Sequence, residues 1–186
     1  MSTIKIIDYE ESTGRLREIY DDIIQKRGKL AEVHKMQSLH PESIVKHMEL
    51  YMEIMFSKSP LSRAEREMMA VVVSVTNACL YCRQHHAEAL HHYWKNDERL
   101  KLLISDWKSA PLSQRERFLA ELAAKLTANP AAFEQNQLLL QLKNSGFTDL
   151  ELLDASLVVA YFNFVNRLVL ATGIGLETDG GGGYKY

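Results

Sequence analysis

Apolar residues recur along this chain mostly at three- and four-residue intervals, the period of a helix with one buried face. In "TGRLREIYDDIIQKRG", Leu16, Ile19, Tyr20 and Ile23 fall on one side, and Gly28 marks the stop. "HPESIVKHMELYMEIMFSK" starts at a proline and lines up Ile44, Met48, Tyr51, Met52 and Met55. A Met-rich face of this kind predicts adaptable core or a subunit interface. Three further helices open with one signal: Ser62 with Glu65, Ser113 with Glu116, and Thr148 with Glu151. Each is a capping box, in which the hydroxyl takes the N3 amide and the carboxylate reaches back to the cap. "ACLYCRQHHAEALHHYWK" and "PAAFEQNQLLLQLKNSG" are also helical in pattern. "MMAVVVSVT" is β-branched enough to suggest a strand, but the capping box before it predicts a buried helix. No alternating strand pattern appears, so the expected fold class is all-α.

Two long-range features accompany the pattern. A shift of 86 residues lays "LSRAEREMMAVVVSVTN" over "FTDLELLDASLVVAYFN", with Glu65 over Glu151 and Asn77 over Asn163, which suggests a duplicated helical unit. The most apolar window, Leu157 to Leu176, is interrupted by Asn163, Asn166 and Arg167. An Arg at a bilayer centre costs about 2.5–3.5 kcal/mol on insertion scales, so the window is expected to be a core helix with a structural polar cluster.

Composition changes the picture little. The 186 residues suit one domain, expected over 1–178, followed by a flexible glycine-rich tail, "DGGGGYKY", at 179–186. The net charge is −2 and the basic residues form no stripe, which argues against a nucleic-acid partner. The N-terminal "MSTIKIIDYEESTG" does not read as a secretory signal. A cytoplasmic protein with no membrane span is therefore expected. In that compartment, a Cys-x-x-Cys reads as catalytic or metal-binding before it reads as a structural disulfide.

The candidate chemistry lies in "NACLYCRQHH". On a helix, Cys79, Cys82 and His86 share a face. Three readings are open: a redox pair, half of a metal site, or two buried core thiols. Unpaired amides and the dipole at a helix start favour a thiolate, and a histidine one turn below adds charge or takes the proton. Two neighbouring thiols let a sulfenic acid condense to a disulfide. Zinc usually draws four ligands from two segments, and here Glu67 would have to complete the set. His85, His91 and His92 are expected off the reactive face, in solvent or at an interface. An orienting carboxylate for His86 is expected from Glu67, on the preceding helix.

Glu67, eleven residues, then Cys79-x-x-Cys82-x-x-x-His86 resembles the active-site signature of the alkylhydroperoxidase D proteins, within the carboxymuconolactone decarboxylase-like family. "LSRAEREMMAVVVSVTNACLYCRQHH" and "YFNFVNRLVLATGIGLE" resemble its peroxidase-related subgroup, with the similarity running from about Pro41 to Glu177. The pattern departs at Tyr81, where alkylhydroperoxidase D proteins often carry a second histidine. The resemblance implies a multihelical bundle that assembles as a homo-oligomer (dimer, trimer or hexamer). It also implies peroxiredoxin activity on hydrogen peroxide or small organic hydroperoxides. Cys79 would attack, Cys82 would resolve, and His86 and Glu67 would relay the proton. No cofactor or metal is implied; an external dithiol or adaptor protein would restore the pair. Two alternatives remain, decarboxylation of a lactone acid on the same fold and a non-enzymatic redox sensor.

Overall fold

A computed structural model describes residues 2–133 and 137–177. The tail expected at 179–186 lies outside the described residues. Ten helices and no strands occur among those described: α1 (Gly14–Arg27), α2 (Glu32–Lys35), α3 (Pro41–Phe56), α4 (Arg63–Thr76), α5 (Leu80–Trp94), α6 (Asp97–Asp106), α7 (Gln114–Ala128), α8 (Pro130–Phe133), α9 (Leu138–Asn144) and α10 (Asp149–Thr172).

The three capping boxes form at the starts of α4, α7 and α10. The Gly28 stop also holds, with Gly28 left-handed at φ 80° and its amide bonded to the Ile24 carbonyl. "MMAVVVSVT" is helical. Every residue of α4 from Arg66 to Ser74 is buried, because the helix packs against α5, α7 and α10 on different sides. A helix buried all round carries no polar stripe, and this is why its sequence imitates a strand.

The helix expected over 130–146 is two shorter pieces, α8 and α9. Gln137, just before α9, has φ 49°, a conformation that no right-handed helix can run through. On α3 the buried line includes His47 with Ile44 and Met55, whereas Met52 is exposed. The Met-rich face is therefore narrower than its spacing suggested.

α4 and α10 run side by side in the same direction. Arg115 of α7 bridges their two capping glutamates, at 2.6 Å from Glu65 and 2.8 Å from Glu151. Further along, Asn77 Nδ2 donates to Asn163 Oδ1 at 3.0 Å and to Asn166 Oδ1 at 3.1 Å. Asn163 donates on to Thr127 Oγ1 at 2.9 Å, and Arg167 donates to Asn163 Oδ1 at 2.6 Å. The polar interruption of α10 is thus a hydrogen-bonded seam against α4 and α7. On its other face, α10 leaves Leu150, Leu153, Leu157 and Phe164 exposed. By length and composition alone this helix is apolar enough to cross a membrane; its buried residues pack against α3, α4, α5, α7 and α9.

A tight corner joins α4 to α5. Ala78 is left-handed at φ 53°, and the Cys79 amide bonds back to the Ser74 carbonyl at 2.9 Å. This reversal lays α5 against α4, which brings Glu67 and His86 together across the pair.

Candidate active site

Glu67 is fully buried on α4. Its Oε2 meets His86 Nδ1 at 2.7 Å, and its Oε1 accepts from Arg63 Nε at 2.8 Å and Nη2 at 2.5 Å. Arg63 is one turn earlier on α4, so the pair follows from helical spacing. Arg63 also donates to the Met55 carbonyl at 3.0 Å and lies 3.6 Å over the Phe56 ring. Burial by itself would raise the Glu67 pKa; His86 and Arg63 outweigh it and hold the carboxyl below its usual range. The carboxylate in turn selects the tautomer of His86. With Nδ1–H directed at Glu67, Nε2 is the basic nitrogen. Phe162 of α10 packs edge-on against the ring, with centroids 4.4 Å apart.

Cys79 is the N-cap residue of α5 and precedes its first helical turn. Both cysteines are buried free thiols. They differ in two respects. The neighbouring Cys82 thiol stabilises a thiolate on Cys79 and lowers its pKa, whereas Cys82 is pushed far up by Cys79 and by burial. A cavity of about 70 Å³ is lined by Cys82 and His86 but not by Cys79. Cys79, at the cap before the first helical turn, is buried outside the cavity lining.

One face of α5 forms a wall of this cavity through Tyr81, Cys82, His85, His86 and Ala89. His85 therefore differs from expectation. It is buried, and its Nε2 meets Glu177 Oε2 at 2.9 Å. Glu177 also accepts from the Tyr81 hydroxyl at 2.6 Å and from the Glu32 amide at 2.8 Å. These hydrogen bonds outweigh burial and hold the Glu177 carboxyl far below its usual range. The Tyr81 oxygen receives the Val33 amide at 3.1 Å, and the Tyr81 ring lies 4.3 Å from that of His85. His92 is exposed and His91 half-buried; His91 meets Asp97 at 2.9 Å.

The opposite wall uses residues that the sequence did not single out. His47 Nε2 meets the Tyr161 hydroxyl at 2.7 Å, with Gln37 on Nδ1 at 2.6 Å. Burial lowers the His47 pKa to about 4 and, with smaller effects from His47 and Arg27, that of His34 to about 3, so both are neutral near pH 7. Burial raises Tyr51 to about 12 and Tyr161 well above its ordinary value. Arg27 and Met48 line this cavity and also a larger groove of about 750 Å³ between α1 and α3. Among the described residues, no group of three or more His, Cys, Asp or Glu side chains is arranged to hold a metal ion. Both oxygens of Glu67 are already engaged by Arg63 and His86. On this measure a water needs roughly 10–15 Å³, so the cavity accepts several waters or one small molecule.

The carboxymuconolactone decarboxylase family profile matches residues 43–109, a segment from α3 through α6 that carries Glu67, Cys79, Cys82 and His86. No curated protein matches. Among solved structures, the chain is similar to an uncharacterized peroxidase-related protein from Silicibacter sp. TM1040, with 30% identity over 89% of this chain and 86% of that one and a TM-score of 0.80. It shares its fold with the alkylhydroperoxidase AhpD core of a peroxidase-related protein from Ralstonia eutropha JMP134, at 23% identity over 97% and 94% of the two chains and a TM-score of 0.83. The debrominase Bmp8 has the same fold at 16% identity over 95% and 92%, with a TM-score of 0.77. The helical architecture, the matched segment and the whole-chain likeness to a peroxidase-related protein agree: this chain belongs to the alkylhydroperoxidase D-like, carboxymuconolactone decarboxylase family.

Proposed function

We propose that this protein is a thiol-dependent peroxidase, reducing hydrogen peroxide or a small organic hydroperoxide through Cys79 and Cys82. The observation that carries the reading is the shared cavity wall: Cys82 stands beside a histidine whose basic nitrogen is set by a buried carboxylate. The same wall favours an order of attack opposite to the one that the family resemblance implied, with Cys82 meeting the peroxide and Cys79 resolving.

His86 Nε2 takes the Cys82 thiol proton. The thiolate attacks the distal peroxide oxygen, so an S–O bond forms as the O–O bond breaks. Sulfur is oxidised by two electrons, and the departing oxygen leaves as an alcohol or water once protonated. Cys79, with its lowered pKa, then attacks the sulfenic sulfur; hydroxide leaves and becomes water, and the disulfide closes. An external dithiol restores the pair by exchange, directly or through an adaptor protein. No metal, haem or flavin takes part in these steps. A cytoplasmic homo-oligomer belongs to the same reading, and the exposed apolar stripe of α10 is a suitable face for it; light scattering of the purified protein tests the assembly.

One equivalent of hydrogen peroxide added to reduced protein, followed by mass spectrometry, is the direct test. The expected product is a Cys79–Cys82 disulfide. Cys79→Ser is expected to stop at a Cys82 sulfenic acid, and Cys82→Ser to remain unoxidised. Wild-type protein that forms no such disulfide overturns the reading, while sulfenic acid on Cys79 restores the opposite order. Lactone-acid decarboxylation, the second reading that the family profile supports, needs a base but no thiol pair. It would survive replacement of both cysteines, whereas peroxide reduction would not.

A further inference from the structure

The short helix α2 gives the cavity a hydrogen-bond donor that the steps above do not use. His34 is only 5% exposed and lines the same cavity as Cys82 and His86. Its Nδ1 lies 3.0 Å from the Ala31 amide nitrogen. A backbone amide can only donate, so Nδ1 is the acceptor in that bond. Burial keeps the ring neutral, and a neutral imidazole carries a single N–H. That hydrogen is therefore on Nε2, at the edge of the ring away from Ala31. Nε2 has no hydrogen-bond partner among the described residues, and it is not shut off from space that a water can reach. It opens on the cavity that the residue lines.

Resting on the peroxidase reading above, we propose that His34 is a substrate-binding residue: its Nε2–H donates to a peroxide oxygen and holds the peroxide against the Cys82 sulfur. The cavity accepts one small molecule, so a peroxide that reaches the sulfur also meets this donor. Two features suit the role. The donor is uncharged, which fits an uncharged peroxide, whereas an imidazolium would attract anions. The ring is also preorganised, because Nδ1 is tied to the main chain of a fully buried residue, Ala31.

During attack the Cys82 sulfur gains the distal oxygen, and the O–O pair of electrons goes to the departing oxygen. An N–H aimed at that oxygen binds more strongly as the charge develops, and it stabilises the charge without giving up its proton. The proton that neutralises the departing oxygen comes from His86, which took it from the Cys82 thiol. His34 therefore ends each turnover unchanged.

A purely structural His34 would serve the Ala31 amide and nothing else, and two substitutions separate the roles. In His34→Asn the side-chain oxygen takes the place of Nδ1 and keeps the Ala31 bond, but no donor reaches the position of Nε2. In His34→Gln the NH2 reaches that position and keeps the cavity donor. Both are made in full-length Cys79→Ser protein, where oxidation stops at a Cys82 sulfenic acid. Mass spectrometry times sulfenic acid formation with hydrogen peroxide and S-methylation with methyl iodide, which has no oxygen to accept a hydrogen bond. The ratio of the two rates cancels the thiolate fraction of Cys82, its accessibility and the folded fraction of the sample. Relative to Cys79→Ser alone, the ratio is expected to fall roughly 10- to 100-fold in His34→Asn, the effect of one hydrogen bond to a developing charge, and to be largely restored in His34→Gln. An unchanged ratio in His34→Asn overturns this proposal and leaves the peroxidase reading intact. So does a ratio that falls in His34→Gln alone, which assigns the ring to Ala31. Cys79→Ser protein that is methylated but never oxidised overturns Cys82 as the attacking thiol, and this proposal with it.

Discussion

Replacing Glu67 by Gln tests the buried core of the site most directly. The carboxylate is fully buried and serves two cationic or donating partners, Arg63 through one oxygen and His86 through the other. Glutamine keeps the shape but removes the charge, and its NH2 can oppose a donor where an acceptor is needed. Removing one member of a buried ion pair costs roughly 3–5 kcal/mol, because the remaining charge is stranded. Arg63 keeps the Met55 carbonyl and the Phe56 ring, so the lower end, about 3 kcal/mol, is expected. For a chain of this size, 1 kcal/mol moves the melting temperature by about 2–4 °C, which predicts a fall of about 6–12 °C in differential scanning calorimetry at pH 7. Adding Arg63→Met should recover part of the loss, because the stranded charge goes with it. The pH dependence has a definite sign. The Glu67 pKa is lowered in the fold, so its stabilisation is present above the ordinary carboxylate range and disappears as pH falls through the folded value. Wild type should therefore lose stability in acid that Glu67→Gln does not have to lose. A melting temperature within about 2 °C of wild type would refute the assignment of Glu67 as the counter-charge of Arg63.

Other consequences can be checked by standard measurements. His34 and His47 are buried as neutral rings with pKa values of about 3 and about 4, so the unfolded chain binds their protons first. Urea stability should decline as pH falls from about 6 to about 4, by up to roughly 1.4 kcal/mol per pH unit for each ring, and His34→Asn should flatten the curve. A flat wild-type profile would contradict their burial. Asn166→Ala strips a fully buried partner from Asn77 and Ser74 and is expected to cost about 1–3 kcal/mol in chemical denaturation; no change would mean the seam is dispensable. Ser113→Ala removes the α7 cap and should cost about 1 kcal/mol by the same assay, with an undiminished midpoint as the contrary result.

Most helix starts were legible in the sequence because their causes are local, although α2 and α6 were not singled out. Capping boxes span three residues, apolar periodicity spans a few turns, and Gly28 stops α1 through its own backbone. Even the ambiguous α4 was readable, since its cap outranked its β-branched interior. The failures were also local in origin. Gln137 breaks the helix expected over 130–146 through a left-handed conformation that non-glycine residues seldom adopt.

The site divides along the same physical line. Cys82 and His86 share a face by helical geometry, and Glu67 was found through its spacing within a family signature. The choice between the cysteines turned on the cavity, which Cys82 lines and Cys79 does not, and periodicity does not encode a cavity. His85 looked like a bystander because its partner, Glu177, is 92 residues away, and His47 meets Tyr161 across 114. No periodic pattern encodes such pairs. They form only when α10 packs beside α4 and its trailing segment is carried back to α5. Short-range geometry therefore specified the helices and one thiol–imidazole face, whereas packing of distant segments supplied the second carboxylate, the cavity and the sulfur that faces it.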